Sequence, residues 1–582
     1  MNKLRRLSAH FLILAAFFCS TYAAPSEQQK AKALTNPWVE THIYIVEGAS
    51  VELVQDGIKR VGGKVRQTLP IVNGVSADLT ATEAHTLQSS GGFRLFRDRA
   101  LTTKAPKSFA SPTMVFTDGT AIVSKKNRFQ TNYPSLVGAD VLQVQGITGK
   151  GVTIAVLDTG IWINRADNLK SRILASVDIL NGGRSVSGDQ YGHGTHITSI
   201  AAGGNITPSG HYSGIAPNAN LVIVRAFDGE GQGSYANVIA GLNWIVANQH
   251  KYRIRVVNLS FGAPAQSNYW DDPLNRAVMA TWKAGIVVVA SAGNEGPGPM
   301  TIGVPANVPY VITVGAQTDN FTPFDPTDDR LASFSSTGPT FEGFVKPEMI
   351  APGGHMVGSM WYQSYLANID PGSMSKHQFL FTMSGTSQAA AVTSGVVALM
   401  LQADPTLTPD TVKCRLIASA SPAVNAAGAL AYSVFQQGAG LVNAVNAVNS
   451  IAANCANQGL NVAADLAGTA HFGGPANRDS SGKFYIMDMA NAVWGAPLSG
   501  DGYTWTQGYT WTQGYTWTQG YTWTQGYTWT QGYTWTQGYT WTQGCTPSSG
   551  YAWSASLPWW GTKGVLNSSA APASIETWVP NE

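Results

Sequence analysis

From about residue 137 onward, short apolar runs alternate with stretches that have helical character. An uninterrupted apolar run of four to seven residues is typical of a strand buried on both faces of a sheet. This βαβα alternation predicts an α/β fold, a doubly wound and mostly parallel sheet with helices on both faces. The runs that carry the prediction are Gly151 to Leu157, Leu221 to Ala226, Val256 to Gly262, Ile286 to Ala290 and Val311 to Gly315.

A different stretch, Ser384 to Met400, leads a hydroxyl-rich turn into a helix of small and apolar residues. Gly385 is expected to let the backbone turn tightly, which places Ser387 at the helix N-terminus. There the unpaired N–H groups and the positive end of the helix dipole would face any anion formed at the hydroxyl. Taken alone, Ser387 is better explained as an N-cap.

Three further polar blocks lie at the ends of predicted strands or at the start of a predicted helix. Asp158-Thr-Gly ends the first run, Gly192-His193-Gly-Thr-His196 leads into a helix, and Ala292-Gly-Asn294 follows the run that ends at Ala290. The carboxyl ends of strands are where open α/β sheets place their sites. The two histidines at three-residue spacing could be metal ligands, but no third ligand cluster with zinc-like spacing follows. The sequence therefore assigns no metal.

The four blocks occur in the order found in the subtilisin-like serine proteases, the subtilases, which the chain resembles over roughly 137–450. The resemblance implies an Asp-His-Ser triad: Ser387 as nucleophile, His193 as its base, and Asp158 to orient the imidazole and stabilise its cation. It also implies that the Asn294 side chain joins the Ser387 backbone N–H in binding the oxyanion. The second histidine of the block is assigned a structural role, and no cofactor is required for the chemistry.

Protein or peptide substrates are implied by the same resemblance. Two glycine-containing segments match the edges between which an extended peptide inserts as a strand, held by main-chain hydrogen bonds. Another segment would line the pocket for the residue before the scissile bond. Without the triad, these segments would be read as ordinary strand ends. The residues are Gly231 and Gly233, then Ser260, Phe261 and Gly262, and for the pocket Ser291, Ala292 and Gly293.

Two positions depart from the family pattern, because Gln388 and Ala391 stand where Met and Pro are usual. Alanine is a good helix former, so the loss of proline is expected to be tolerated. The segment from Gln317 to Arg330 is acidic and could hold a structural Ca²⁺, which prefers carboxylate oxygens. A solvated acidic loop explains it better, since no ligand pattern is recognisable.

The N-terminal region predicts export and processing. Residues 1–23 combine positive charge, an apolar core and small residues before Ala24, which indicates a secretory signal peptide and an extracellular protein. A membrane anchor would need about 20 apolar residues, and this core has about half of that. Residues 24–100 read as a βαββαβ unit, either a free-standing small domain or, by resemblance, the ferredoxin-like propeptide that inhibits the protease. Residues 101–136 read as a linker where processing occurs.

Cysteine usage fits an oxidising compartment. Removal of the signal peptide removes Cys19 and leaves three cysteines. Cys414 and Cys455 are expected to form a disulfide, which leaves Cys545 alone. The alternative is that all three are unpaired, because sequence cannot fix connectivity.

The C-terminal part has a different character. After a peptidase domain at 137–455 and an extension at 456–502, the hexapeptide Tyr-Thr-Trp-Thr-Gln-Gly repeats seven times over residues 503–544, and a tail of 545–582 follows. In an extended chain the tyrosine and tryptophan of each unit share one face. Such a row of rings could bind polysaccharide or a cell surface, or the repeats could be a low-complexity extension.

These observations predict a secreted serine endopeptidase made as an autoinhibited pre-pro-protein. The formal net charge of +2 gives no electrostatic footprint for nucleic acid. One alternative is a catalytically silent protein whose α/β domain is a scaffold for the aromatic tail, although the intact set of polar blocks argues against it. A second is a processing enzyme selective for one partner.

Overall fold

The computed structural model describes residues 40–101 and 132–486, apart from short gaps at 164–167, 186–187, 208–209, 321, 323–327, 376–378, 426–427 and 480–481. The predicted signal peptide, most of the linker, the hexapeptide repeats and the C-terminal tail lie outside these residues. The predictions made for those segments are therefore not tested by the structure.

Residues 40–97 form a small α+β module with its own apolar core. Its four-stranded antiparallel sheet has the order β2-β3-β1-β4, and Val54, Ile58 and Leu87 of the two helices pack onto it. Both helices begin with a side-chain cap, from Ser50 and Thr80. The predicted βαββαβ order is the order observed. The elements are β1 (Thr41–Glu47), α1 (Val51–Val61), β2 (Lys64–Leu69), β3 (Gly74–Thr80), α2 (Ala81–Ser89) and β4 (Arg94–Arg97), followed by the short β5 (Ala100–Leu101).

The main body contains an eight-stranded sheet that is parallel except for one short strand. Its order is β13-β12-β11-β10-β6-β8-β7, with β14 also paired to β12, and only β13 runs antiparallel. The predicted mostly parallel sheet is confirmed. Its strands are β6 (Thr153–Asp158), β7 (Ile173–Asp178), β8 (Asn220–Arg225), β10 (Ile254–Leu259), β11 (Val287–Ser291), β12 (Ile312–Thr318), β13 (Arg330–Leu331) and β14 (Met349–Pro352).

Short strand pairs lie outside this sheet. In one of them β9 pairs with β5 of the N-terminal region, and β15–β16 and β17–β18 pair with each other. The sequence did not indicate β7, because this edge strand is half exposed and so lacks a continuous apolar run. The bounds are β9 (Gly233–Ser234), β15 (Met356–Ser359), β16 (Leu380–Met383), β17 (Ala476–Arg478) and β18 (Phe484–Ile486).

Helices cover both faces of the sheet. They are α3 (Tyr133–Leu136), α4 (Ala139–Val144), α5 (His193–Ala202), α6 (Tyr235–Ala247), α7 (Gln249–Tyr252), α8 (Pro273–Lys283), α9 (Tyr365–Ile369), α10 (Thr386–Ala403), α11 (Pro409–Ser419), α12 (Val434–Gln437), α13 (Ala444–Asn449) and α14 (Val462–Ala467). None of the helices in the described ranges is long and apolar enough to cross a membrane.

Helix α10 is the central helix, buried around almost its whole circumference. It packs against β10, β11, β12 and α5. Small residues allow this close approach: a Cβ on Gly395 would lie 2.5 Å from Cβ of Ile215 on a neighbouring loop. The run of alanines and glycine after Ser387 is therefore explained by backbone packing.

The predicted disulfide between Cys414 and Cys455 is formed, with the two Cα atoms 5.0 Å apart. It joins α11 to the segment that follows α13 and closes a sequence separation of 41 residues. Cys545 lies outside the described residues.

Residues 456–486 continue the same packed body, although the sequence placed a domain boundary at Cys455. Asp465 of α14 is fully buried and accepts hydrogen bonds from the hydroxyls of Tyr269 at 2.7 Å and Tyr310 at 2.6 Å. His471 Nδ1 lies 2.8 Å from the same carboxylate, and its ring stacks on Trp270. One carboxylate thus ties the C-terminal segment to two distant parts of the peptidase region.

We expect Asp465→Ala to destabilise the whole body, because it leaves two buried tyrosine hydroxyls without an acceptor. The expected loss is about 3 kcal/mol in the free energy of unfolding. Denaturant unfolding in a Ser387→Ala background measures it without self-digestion. Asp465→Asn is the matched control, since it keeps an acceptor oxygen and should lose much less. Equal stability of Asp465→Ala and the parent would show that the segment is not part of the cooperative unit.

Candidate active site

The predicted site residues converge at the carboxyl edge of the parallel sheet. Asp158 is the last residue of β6, Ser260 follows β10 directly, and Asn294 comes three residues after β11 ends. His193 is the first residue of α5, and Ser387 is the second residue of α10. Strands β6 and β10 are neighbours, and the strand order reverses between them, which is where doubly wound sheets form their sites.

The structure joins His193 to Asp158. Nδ1 of His193 lies 2.8 Å from Oδ1 and 2.9 Å from Oδ2 of Asp158, and both side chains are buried. Because an ionised carboxylate only accepts hydrogen bonds, Nδ1 carries the proton and Nε2 presents its lone pair. Within the described part of the chain Nε2 has no hydrogen-bond partner. The pair therefore has the arrangement of an oriented base.

The surroundings of this pair hold it in position. Thr159 donates from its backbone N–H to Oδ1 of Asp158 at 2.7 Å. Asp189 accepts from the N–H groups of Gly192 and Thr195, each at 2.8 Å, and thereby caps the start of α5. Gly192 has φ 108°, and a Cβ there would collide with Met360. Sequence reasoning gave Asp189 no role, although an acidic residue just before a helix start is a capping signal.

Ser387 is fully buried and lies against Ser260. Its Oγ donates to the carbonyl oxygen of Ser260 at 3.3 Å, and Oγ of Ser260 donates to the carbonyl oxygen of Ser387 at 3.0 Å. Asn258 donates to Oγ of Ser260 and holds that hydroxyl in turn. The nucleophile and one predicted substrate edge are thus directly connected. Nε2 of His193 accepts no hydrogen bond from the described residues, Ser387 included, and catalytic hydrogen bonds often form fully only in the substrate complex.

The amide of Asn294 is oriented by Thr386. Its Oδ1 accepts from the backbone N–H and from Oγ1 of Thr386, both at 3.0 Å, so its Nδ2 faces the other way. A Cβ placed on Gly385 would lie 3.4 Å from this Nδ2 and 3.8 Å from the backbone N of Ser387. Two N–H donors therefore border one small space, as an oxyanion requires. Sequence reasoning did not single out Thr386.

Gly385 was expected to let the backbone turn tightly, and this expectation is wrong. The residue has φ 163° and ψ 159°, which is extended backbone that any residue can adopt. The absence of a Cβ instead leaves space at this point, since a Cβ would lie 2.7 Å from Oε1 of Gln388 and 3.4 Å from Nδ2 of Asn294.

One predicted peptide-binding edge is already paired with the chain itself. Gly233 and Ser234 form β9, which pairs antiparallel with Ala100 and Leu101 of β5. The backbone N–H of Tyr235 continues this contact by donating to the carbonyl oxygen of Arg99 at 3.2 Å. Gly231 lies in the turn before β9 with φ 73°.

The remaining predicted substrate residues lie at the ends of β10 and β11. Phe261 is buried against Phe227, so it can offer only its backbone to a peptide. Ser291 and Ala292 are buried as well, while Gly293 donates to Oγ1 of Thr386 at 3.2 Å. Their contact with a substrate stays a prediction.

His196 lies one turn along α5 from His193 and is completely buried. Burial lowers the pKa of its imidazole to about 3, so the ring stays neutral. Its Nε2 lies 3.0 Å from the carbonyl oxygen of Phe381, and Nε2 of Gln388 lies 3.4 Å from its Nδ1. These contacts fit the structural role that the resemblance implied.

Metal binding stays untested. The described residues contain no group of three or more His, Cys, Asp or Glu side chains that could hold an ion. In the acidic loop, Asp319 pairs with His355 at 3.2 Å and Asp328 accepts from Asn320 at 3.1 Å. Part of that loop lies outside the described residues, so the calcium prediction is neither supported nor contradicted.

Comparisons with known proteins agree with this geometry. A family model described as Subtilase family matches residues 149–440, just over half of the chain. Serine protease AprX of Bacillus subtilis (strain 168) is 42% identical over 274 residues, which cover 46% of this chain and 61% of AprX. The match therefore spans less than two thirds of that relative.

Two further comparisons extend the likeness. Subtilisin DY of Bacillus licheniformis is 33% identical over 294 residues, 49% of this chain and 89% of that protein. The crystal structure of fervidolysin from Fervidobacterium pennivorans, a keratinolytic enzyme related to subtilisin, has a TM-score of 0.53 over 72% of this chain and 62% of its own. Because the two sequences are 21% identical, this match supports the fold alone. The chain belongs to the subtilase family of serine endopeptidases.

Proposed function

We propose that this protein is a secreted serine endopeptidase that is made as an autoinhibited precursor and cleaves protein substrates at the site described above. The observation that carries the proposal is the buried contact between His193 and Asp158, with Ser387 at the start of α10, the helix that packs against α5. The location rests on the predicted signal peptide and on the disulfide, which suits an oxidising compartment.

The proposed chemistry follows from where the protons lie. Ser387 Oγ attacks the scissile carbonyl carbon, and its proton passes to Nε2 of His193. Asp158 holds the opposite ring N–H and stabilises the imidazolium that forms. The tetrahedral oxyanion accepts hydrogen bonds from Nδ2 of Asn294 and from the backbone N–H of Ser387. His193 then protonates the leaving amine. In the second half of the reaction water attacks the acyl-enzyme, and His193 takes the proton of the water and returns it to Ser387 Oγ.

The N-terminal module is proposed to be the propeptide that inhibits the enzyme until it is removed. Its strand β5 lies along β9, which is the edge proposed to hold substrate. Asp98, next to β5, accepts from the backbone N–H of Ala236 in the first turn of α6 at 3.0 Å. A peptide bound at the same edge would have to displace this segment.

The second contact of the module is a buried cluster of charges. Glu47 at the end of β1 is almost fully buried, and Arg276 of α8 approaches its Oε2 to 3.1 Å. Arg94 lies 3.9 Å from the same oxygen and reaches across to Asp271 at 3.1 Å. Asp272 is the remaining charged group that acts on Glu47.

The proposed activity is tested by expressing the whole chain and its Ser387→Ala variant and measuring hydrolysis of a quenched fluorescent peptide. We expect secreted wild-type protein to cleave the peptide and Ser387→Ala to lose at least about 10³-fold in kcat, because no nucleophile remains. Similar hydrolysis by the two proteins would contradict the assignment of Ser387 as the nucleophile. Absence of cleavage by correctly folded, processed wild-type protein would instead favour a silent scaffold.

Release of the N-terminal module is expected to depend on pH. Burial raises the pKa of Glu47 from an ordinary 4.5 to about 7, although Arg276 and Arg94 oppose the shift. A carboxyl with a higher pKa in the docked state takes up a proton on docking. Protonation of Glu47 therefore contributes fully to the free energy of docking below about pH 4.5. This contribution is lost as the pH rises through 7. Burial also raises the pKa values of Asp98 and Asp272, so these groups change the pH dependence of docking in the same direction.

The measurement is the rate at which freshly made precursor gains activity between pH 5.5 and 9, divided by the activity of the matured enzyme at each pH. Activation should accelerate through pH 7 in the wild type and depend less on pH in Glu47→Gln, which cannot titrate. Asp56→Asn, at an exposed position of α1, is the control and should follow the wild type. A Glu47→Gln profile identical to the wild type would contradict the prediction.

A further inference from the structure

Gln388 carries a polar group that the chemistry described so far does not use. Its side chain is fully buried directly after the nucleophile. Nε2 of its amide lies 3.4 Å from Nδ1 of His196. Oε1 is buried and has no hydrogen-bond partner among the groups that the structure describes. Burying a hydrogen-bond acceptor without a partner reduces the stability of the fold, so the position of Oε1 needs an explanation.

The orientation of this amide follows from its neighbour. A carbonyl oxygen can only accept, so the 3.0 Å contact with Phe381 places a proton on Nε2 of His196. Because burial keeps the ring neutral, Nδ1 has a lone pair and needs a donor. The NH₂ end of the Gln388 amide lies 3.4 Å from Nδ1 and can supply one, so Oε1 faces away from His196.

Oε1 faces the space that Gly385 leaves open. A Cβ on Gly385 would lie 2.7 Å from Oε1 of Gln388, 3.4 Å from Nδ2 of Asn294 and 3.8 Å from the backbone N of Ser387. One acceptor and two donors therefore border the same small space.

A peptide bond under attack presents the complementary groups. Its carbonyl oxygen becomes an oxyanion that accepts hydrogen bonds, and its nitrogen retains an N–H that donates one. We infer that Oε1 of Gln388 accepts a hydrogen bond from the N–H of the leaving group while Asn294 and Ser387 bind the oxyanion. This inference rests on the proposed peptidase function.

The assignment leaves the proton balance of the reaction unchanged. Ser387 Oγ still forms the bond to the carbonyl carbon, and the C–N bond breaks as His193 gives its proton to the nitrogen. Gln388 exchanges no proton. Its oxygen orients the nitrogen, so that the lone pair that forms there points toward the imidazolium. Gln388 would then favour substrates whose leaving group carries an N–H.

The test compares an amide with an ester that has the same acyl part, because an ester leaving group has no N–H. For both, kcat/KM reports acylation. Gln388→Met fills a similar volume but removes the acceptor. We expect kcat/KM for the amide to fall roughly two- to tenfold, the effect of one lost hydrogen bond, while the value for the ester changes less than about twofold.

Thr393→Val is the matched control. Thr393 is buried on the same helix, and its Oγ1 bonds only to the carbonyl oxygen of Ala389 in the described structure, at 3.1 Å. This variant should lose stability with the amide-to-ester ratio unchanged. Equal losses for both substrates in Gln388→Met, or no loss for either, would overturn the inference. A wild-type protein that hydrolyses neither substrate would overturn the proposed function itself, and the inference with it.

Discussion

The buried hydrogen bond between His193 and Asp158 is the contact on which the site depends. It requires a carboxylate at the end of a central strand and an imidazole at the first position of a helix. Neither position is free to move: β6 is paired on both sides, and the start of α5 is capped by Asp189. The rigid sheet and the capped helix therefore set the tautomer of His193, and the tautomer leaves Nε2 as the acceptor that a serine needs.

The second helix of the site is placed by packing of small side chains. Alanine and glycine after Ser387 let α10 pass through the centre of the body, close to the sheet and to α5. Its N-terminus meets β10 at Ser260 and the loop after β11 at Asn294. The same chain of contacts brings Gln388 against His196, so the helix of the base and the helix of the nucleophile touch in a second place.

Much of this could be predicted from the sequence, because continuous apolar runs and the four polar blocks are local signals. The parallel sheet and the N-terminal βαββαβ order follow from such signals. The Cys414–Cys455 pair was expected only from the oxidising compartment, and the folded chain supplies the connectivity. Asp189 did carry a local signal, that of a helix cap, which the sequence reading did not use. The half-exposed β7 gave none, and neither did Thr386, whose partner Asn294 is distant in sequence. The packing of residues 456–486 was missed for the same reason, since Asp465 finds its tyrosines only in the folded chain.

The most direct test of the account is to label the secreted protein with a fluorophosphonate and to locate the adduct by mass spectrometry. We predict one adduct on Ser387 and a labelling rate that falls by orders of magnitude in His193→Ala, because the hydroxyl then has no base. Labelling at another residue, or an unchanged rate in His193→Ala, would contradict it.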